Sequence, residues 1–300
     1  MLPIPPPTKP KILEGSTGFL GSVLPQEKSS FGERKYRNPV DPQNQPTFMN
    51  HSAVPPVVDV ALPGGGMACF YLYGHLAVMD ELERAGACTV RRYYAVSGGA
   101  VLCALWLCTA RDERLETVGL FADAMYSTRG EWMIDGVAAY LETHLPSDAH
   151  DLCSGRLWVT HFHMRERRVV GAYATRADLI RSLVETCSLP VLCAPSTALL
   201  AHWDGIFTDT RGALGTLVKA PRPPPYEIVA LNFPFMWWTA WFRMHQPRDG
   251  IERAIRDGFA CDRIDAIQQA LAHVVSRDDV RAAAAAAQAT LVAKGRFRRV

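Results

Sequence analysis

Arg92-Tyr93-Tyr94-Ala95-Val96-Ser97-Gly98-Gly99-Ala100-Val101-Leu102-Cys103-Ala104-Leu105-Trp106 is the stretch that decides the fold. An aromatic and β-branched run, a two-glycine corner and a long run of small and apolar residues read as strand, sharp turn and helix. A serine at such a corner has its hydroxyl pushed out at the carboxyl end of the strand, which is the geometry of a nucleophile elbow. The position is also that of a helix N-cap, for which serine is favoured.

Upstream, Gly64-Gly65-Gly66 closes the strand-like run Val57-Val58-Asp59-Val60-Ala61-Leu62. Glycines let a loop turn its backbone N–H groups toward one point, as an oxyanion in acyl transfer requires. A plain tight turn or a nucleotide loop are the competing readings. Cys69 stands where the dinucleotide fingerprint needs its last glycine, and no Lys-Ser/Thr pair follows as in a P-loop. Downstream comes Asp204-Gly205. A carboxylate held against a serine can take its proton directly, but an aspartate of ordinary pKa (about 3.9) is a weak base until desolvation raises it. The apolar neighbours Trp203, Ile206 and Phe207 suit that task. His245 and His273 leave the order Ser, Asp, His formally open. His161 and His163 share one face of a predicted strand, but no third ligand at metal-site spacing accompanies them.

Helical periodicity predicts a helix over 70–85 that ends at Gly86, and others over 112–127 and 130–143. Strands are predicted at 156–164 and 169–174, joined by the polar turn Arg165-Glu166-Arg167-Arg168, with a last strand at 226–233. Thr175 and Asp178 form an acidic capping box for a helix that stops before Pro190. Further helices fall at 250–273 and 277–294. Alternating strands and helices argue for an α/β fold with a mostly parallel sheet. Residues 1–55 are too rich in Pro, Ser, Asn and Gln to bury a core and read as a disordered arm. An ordered α/β domain is expected over 56–262 and a helical extension over 263–300. The aromatic stretch 231–242 fits either a core segment or a lipid-facing groove.

With 48% hydrophobic residues and a net charge of +2, the chain can bury a large core and lacks the basic stripe of a nucleic-acid binder. Its eight cysteines contain no C-x-x-C pair and lie mostly in apolar runs, so they read as small buried hydrophobes. The N-terminus is too proline-rich for the apolar core of a signal peptide, and no run reaches the ~18 apolar residues of a membrane span. The expectation is an intracellular, cytoplasmic protein.

Taken together, these motifs resemble the patatin-like phospholipase family. Gly64-Gly65-Gly66-Met67-Ala68-Cys69-Phe70 matches its oxyanion loop, Ala95-Val96-Ser97-Gly98-Gly99 its elbow, and Asp204-Gly205-Ile206 its aspartate turn. The segment 145–157, Thr175-Arg176-Ala177-Asp178 and Cys187-Ser188-Leu189-Pro190 are closest to the adiponutrin and adipose triglyceride lipase branch. Cys69 and Ala95 replace family glycines, and Ile206 replaces a small residue. The resemblance implies a three-layer α/β/α fold. It also implies a lipid acyl hydrolase with Ser97 as nucleophile, Asp204 as proton acceptor and the backbone of Gly64, Gly65 and Gly66 as oxyanion hole. Neither metal nor cofactor is implied. The expected substrate is a glycerolipid or phospholipid met at a membrane or lipid-droplet surface. An acyltransferase and a lipid-binding pseudoenzyme are the alternatives on the same fold.

Overall fold

A computed structural model describes residues 54–127, 133–163, 166–188, 202–204, 227–230, 267, 271–272 and 275–293. Strand β1 (Val57–Leu62) leads through a 3-10 turn, Gly66–Cys69, into α1 (Phe70–Arg84). Then come β2 (Thr89–Val96), α2 (Ser97–Cys108), α3 (Arg114–Ser127), α4 (Met133–His144) and α5 (Ala149–Cys153). The hairpin β3 (Leu157–His163) and β4 (Glu166–Val170) precedes α6 (Arg176–Thr186). Two short strands, β5 (His202–Asp204) and β6 (Glu227–Ala230), and helix α7 (Arg277–Ala293) complete the described elements.

The strands form one sheet in the order β4-β3-β2-β1-β6, with β5 paired to β3. The bonds β6–β1, β1–β2 and β2–β3 are parallel, while β4 and β5 run antiparallel to β3. Successive strand residues point to opposite faces, yet Val58, Asp59, Val60, Ala61 and Leu62 are all buried. The sheet is therefore covered on both sides, as the middle layer of an α/β/α fold. One charge lies in that centre. Asp59 is fully buried in β1 and receives a two-pronged bond from Arg91, Nε to Oδ1 at 3.1 Å and Nη2 to Oδ2 at 2.6 Å. The register steps from Val58↔Val90 to Asp59↔Arg92, so Arg91 is the extra residue of a bulge that re-aims its guanidinium.

Helix α2 is buried at every residue from Gly99 to Trp106, the mark of a helix enclosed on all sides. Helix α1 packs against it and against α7, whose buried stripe of Val280, Ala283, Ala284, Ala287 and Leu291 follows the alanine run. Ser276 caps α7 by accepting the Asp279 N–H at 3.1 Å, and Thr175 caps α6 by accepting that of Asp178 at 3.1 Å, as its sequence predicts. The hairpin differs from expectation. Glu166, Arg167 and Arg168 belong to β4 rather than to a turn, because β4 is an edge strand that exposes polar side chains. Residues 171–174 have left the strand, and the Gly171 backbone lies so close to the Trp158 ring that an added Cβ would come within 2.3 Å of it. The arm 1–53, the aromatic stretch 231–242, His245 and His273, and nearly all of 250–270 fall outside the described residues.

Gly86 ends α1 as expected, with φ 72°. Its N–H bonds to Glu83 O at 3.0 Å and that of Ala87 to Leu82 O at 2.9 Å, the paired bonds of a Schellman cap. A Cβ at Gly86 would meet nothing within 4 Å, so substitution there tests backbone strain alone. Gly86→Ala is expected to lower unfolding free energy in urea by about 1–2 kcal/mol, and Gly86→Asn by less. An unchanged denaturation midpoint for the alanine variant would contradict this cap.

Candidate active site

Strand β2 ends in extended backbone at Val96 (φ −134°, ψ 143°), and the chain then turns into α2 through Ser97. Ser97 has φ 52°, and among the described residues it is the only one other than glycine with positive φ. A left-handed serine costs an L-residue about 1–2 kcal/mol, so the surroundings must hold it there. The sharp turn between strand and helix that the sequence predicts thus falls at Ser97. Ser97 is buried and stands at the first turn of α2, where backbone N–H groups lack helical acceptors and the helix end is positive.

The glycine loop and the elbow interlock. A Cβ on Gly64 would stand 2.9 Å from the Ser97 Cβ, and one on Gly98 would stand 2.7 Å from the Gly66 carbonyl oxygen. A Cβ on Gly99 would fall 2.4 Å from the Pro63 carbonyl oxygen. Only backbone without side chains permits these approaches. Gly64 and Gly65 are buried, and Gly66 adopts φ 50° where the loop enters its 3-10 turn. Ala95 is fully buried between β1 and β3, opposite Leu62 and Val159, so a methyl group fits where the resemblance has glycine. Cys69 fills the other side of the elbow, its Sγ 3.3 Å from a Cβ position on Gly98. Burial pushes the Cys69 thiol up to about 12, so it is a neutral packing group at physiological pH.

Asp204 enters by strand register. Strand β2 follows the edge of β3 as far as Val96↔Thr160. The chain leaves that edge at Ser97, and β5 occupies its continuation, with Asp204 directly across from His161. The backbone of Asp204 thus lies one β3 residue beyond the point where the elbow turns. Gly205, Ile206 and Phe207 lie outside the described residues.

Two side chains that sequence reading passes over, Thr186 and Glu185, gather at this junction with His161. The Ser97 N–H donates to Thr186 Oγ1 at 2.9 Å, and the Thr186 hydroxyl donates to the Thr160 carbonyl at 2.6 Å. His161 is buried with Nδ1 3.4 Å from Glu185 Oε2, a core pairing rather than a metal site. The available signal was Thr186 itself, a polar residue one turn after Leu183 on the buried face of α6. Among the described residues no group of three His, Cys, Asp or Glu side chains could hold a metal ion, and no helix is long and apolar enough to cross a membrane. A cavity of about 440 Å³ lies at the other end of α2, beside Trp106 and α7. Its Arg111 and Arg114 pair with Asp80 at 2.7 Å, so its charges are met within the chain and it takes no part in the elbow.

No family model matches the chain. Over 161 residues, half of its length, it is 28% identical to the omega-hydroxyceramide transacylase of Homo sapiens. The match to the Mus musculus protein of that name is 28% over 163 residues. The chain is similar to transacylases of omega-hydroxyceramide. It spans 30% of the human relative's length and 27% of the mouse relative's. This likeness supports the patatin-like reading at the level of the family and gives no support to the adiponutrin branch.

The interlock has a direct test. Gly98→Ala and Gly99→Ala must each displace a backbone carbonyl rather than a movable side chain. Each is expected to cost about 1–3 kcal/mol of stability and to disable the elbow even at temperatures where the protein stays folded. Thermal melts paired with serine-directed phosphonate labelling would measure both effects. Full labelling of a folded Gly99→Ala protein would be incompatible with the described approach.

Proposed function

We propose that the chain is a lipid acyl enzyme that works through a serine ester, with Ser97 as nucleophile and Asp204 as base. The observation that carries this reading is the left-handed Ser97 at a strand–helix corner, with β5 ending at Asp204 beside the point where β2 leaves the sheet edge. In this reading the Ser97 Oγ attacks an ester carbonyl while its proton passes to Asp204. The oxyanion is met by backbone N–H groups of the loop at Gly64, Gly65 and Gly66 and of the first turn of α2. Collapse of that intermediate releases the alcohol with the proton from Asp204 and leaves the acyl group on Ser97. A second acceptor then regenerates the serine. A dyad of this kind needs no metal or organic cofactor.

Water as acceptor makes the protein a hydrolase of glycerolipid esters, which is what the likeness to the adiponutrin and adipose triglyceride lipase motifs implies. A lipid hydroxyl as acceptor makes it a transacylase, a reading favoured by the name of its relatives. The acyl-enzyme is common to both. Substrate contact at a membrane or lipid-droplet surface belongs to this proposal, as does a cytoplasmic setting.

The full chain treated with a fluorophosphonate is expected to be labelled once, on Ser97, and Ser97→Ala is expected to remove the label without altering the fold. Asp204→Asn is expected to slow acyl-enzyme formation at least ~100-fold. Radiolabelled triacylglycerol or phosphatidylcholine, with and without an omega-hydroxyceramide acceptor, would separate the acceptors by product. Labelling that survives Ser97→Ala, or Asp204→Asn turnover equal to wild type, would sink the dyad.

A further inference from the structure

Strands β2 and β3 pair in parallel, and the Tyr93 N–H bonds to the Arg156 carbonyl at 2.7 Å. In a parallel ladder such bonds recur every second residue along one strand. The next falls from Ala95 N–H to Trp158 O, and the one after from Ser97 N–H to Thr160 O. That third bond is replaced. The Thr186 hydroxyl sits between those two groups, accepting from Ser97 N–H at 2.9 Å and donating to Thr160 O at 2.6 Å. Thr186 is fully buried, and so is Thr160.

We propose that Thr186 is the positioning residue of the nucleophile, its hydroxyl standing in for the strand bond that Ser97 gives up in order to turn. This rests on the reading of Ser97 as nucleophile. A direct bond to Thr160 would draw Ser97 back into extended backbone, where a left-handed φ of 52° is lost. Without the Thr186 hydroxyl, the Ser97 N–H and the Thr160 carbonyl would each lose a buried hydrogen bond. The inserted hydroxyl satisfies both while holding the elbow one hydroxyl's width off the ladder. Thr186 therefore fixes where the serine Oγ and the first N–H groups of α2 point, acting through the backbone of Ser97. The preceding residue, Glu185, meets His161 at 3.4 Å, and His161 stands across from Asp204 in the sheet. The last turn of α6 thus meets the elbow at Thr186 and, at Glu185, the β3 residue whose backbone pairs with Asp204.

The test is a graded series on the full chain: Thr186→Ser keeps the hydroxyl, Thr186→Cys weakens it and Thr186→Val removes it at nearly constant shape. The readouts are the rate constant of fluorophosphonate labelling and the kcat and KM for a soluble short-chain ester, per folded molecule by circular dichroism. The expected result is a loss of roughly tenfold or more in labelling rate and kcat for Thr186→Val, with KM unchanged. Thr186→Ser is expected to stay within about threefold of wild type and Thr186→Cys to fall between. Should Thr186→Val not fold, the Ser and Cys variants carry the comparison. Equal rates across the series, or an equal loss in Thr186→Ser and Thr186→Val, would overturn the positioning role. A wild-type chain that takes no label at Ser97 would instead remove the nucleophile reading, and this inference with it.

Discussion

Everything around Ser97 follows from the need to keep one L-residue in a left-handed conformation. That backbone is unfavourable on its own, and it persists because three neighbours leave no alternative. The loop at Gly64 blocks one side at van der Waals contact, Gly98 and Gly99 let the first turn of α2 press against the carbonyls of Gly66 and Pro63, and Thr186 ties down the N–H. Helix α2 is buried on all sides because its first turn has this fixed starting point and the rest must run through the core. A relaxed Ser97 would have to move the helix with it.

The buried charge of the sheet is likewise held by a departure from regular strand geometry. Asp59 lies in a central strand where an unpaired carboxylate would be strongly disfavoured, and the bulge at Arg91 supplies two directed bonds to it. Thr89, at the start of the same strand, donates its N–H to the Pro56 carbonyl at 2.9 Å, so β2 is anchored to β1 from its first residue. The elbow therefore rises from a strand whose register is held at both ends.

The parts of this architecture that were legible in the sequence are those whose cause is local. The run into Ser97, the caps at Gly86 and Thr175 and the alanine stripe of α7 each depend on residues within one or two turns of each other. The extent of β4 is not legible because a run of charges reads as a turn signal, whereas an edge strand with one exposed side accepts Glu166 and Arg168 readily. The buried face of α6 marks Thr186 as a polar residue needing a partner, but its role with Thr160 is not legible, for a different reason. Their role arises from a missing ladder bond between segments distant in sequence, and no local pattern records a bond that is absent. Asp204 could be named from its motif, but its place opposite His161 belongs to strand pairing alone.

The shared edge of β3 has a consequence for the order in which the molecule comes together. Strand β5 has nowhere to pair until β2 has turned away at Ser97, because both use the same edge of one strand. Every segment that holds the elbow, from β1 through Thr186 of α6, precedes β5 in the chain, and β5 itself is only three residues long. A chain emerging from its N-terminus can thus assemble the serine corner before the aspartate strand is in place. On the dyad reading, the nascent protein carries its nucleophile through that interval without the base that would ionise it, and chemistry begins only once the sheet edge is filled.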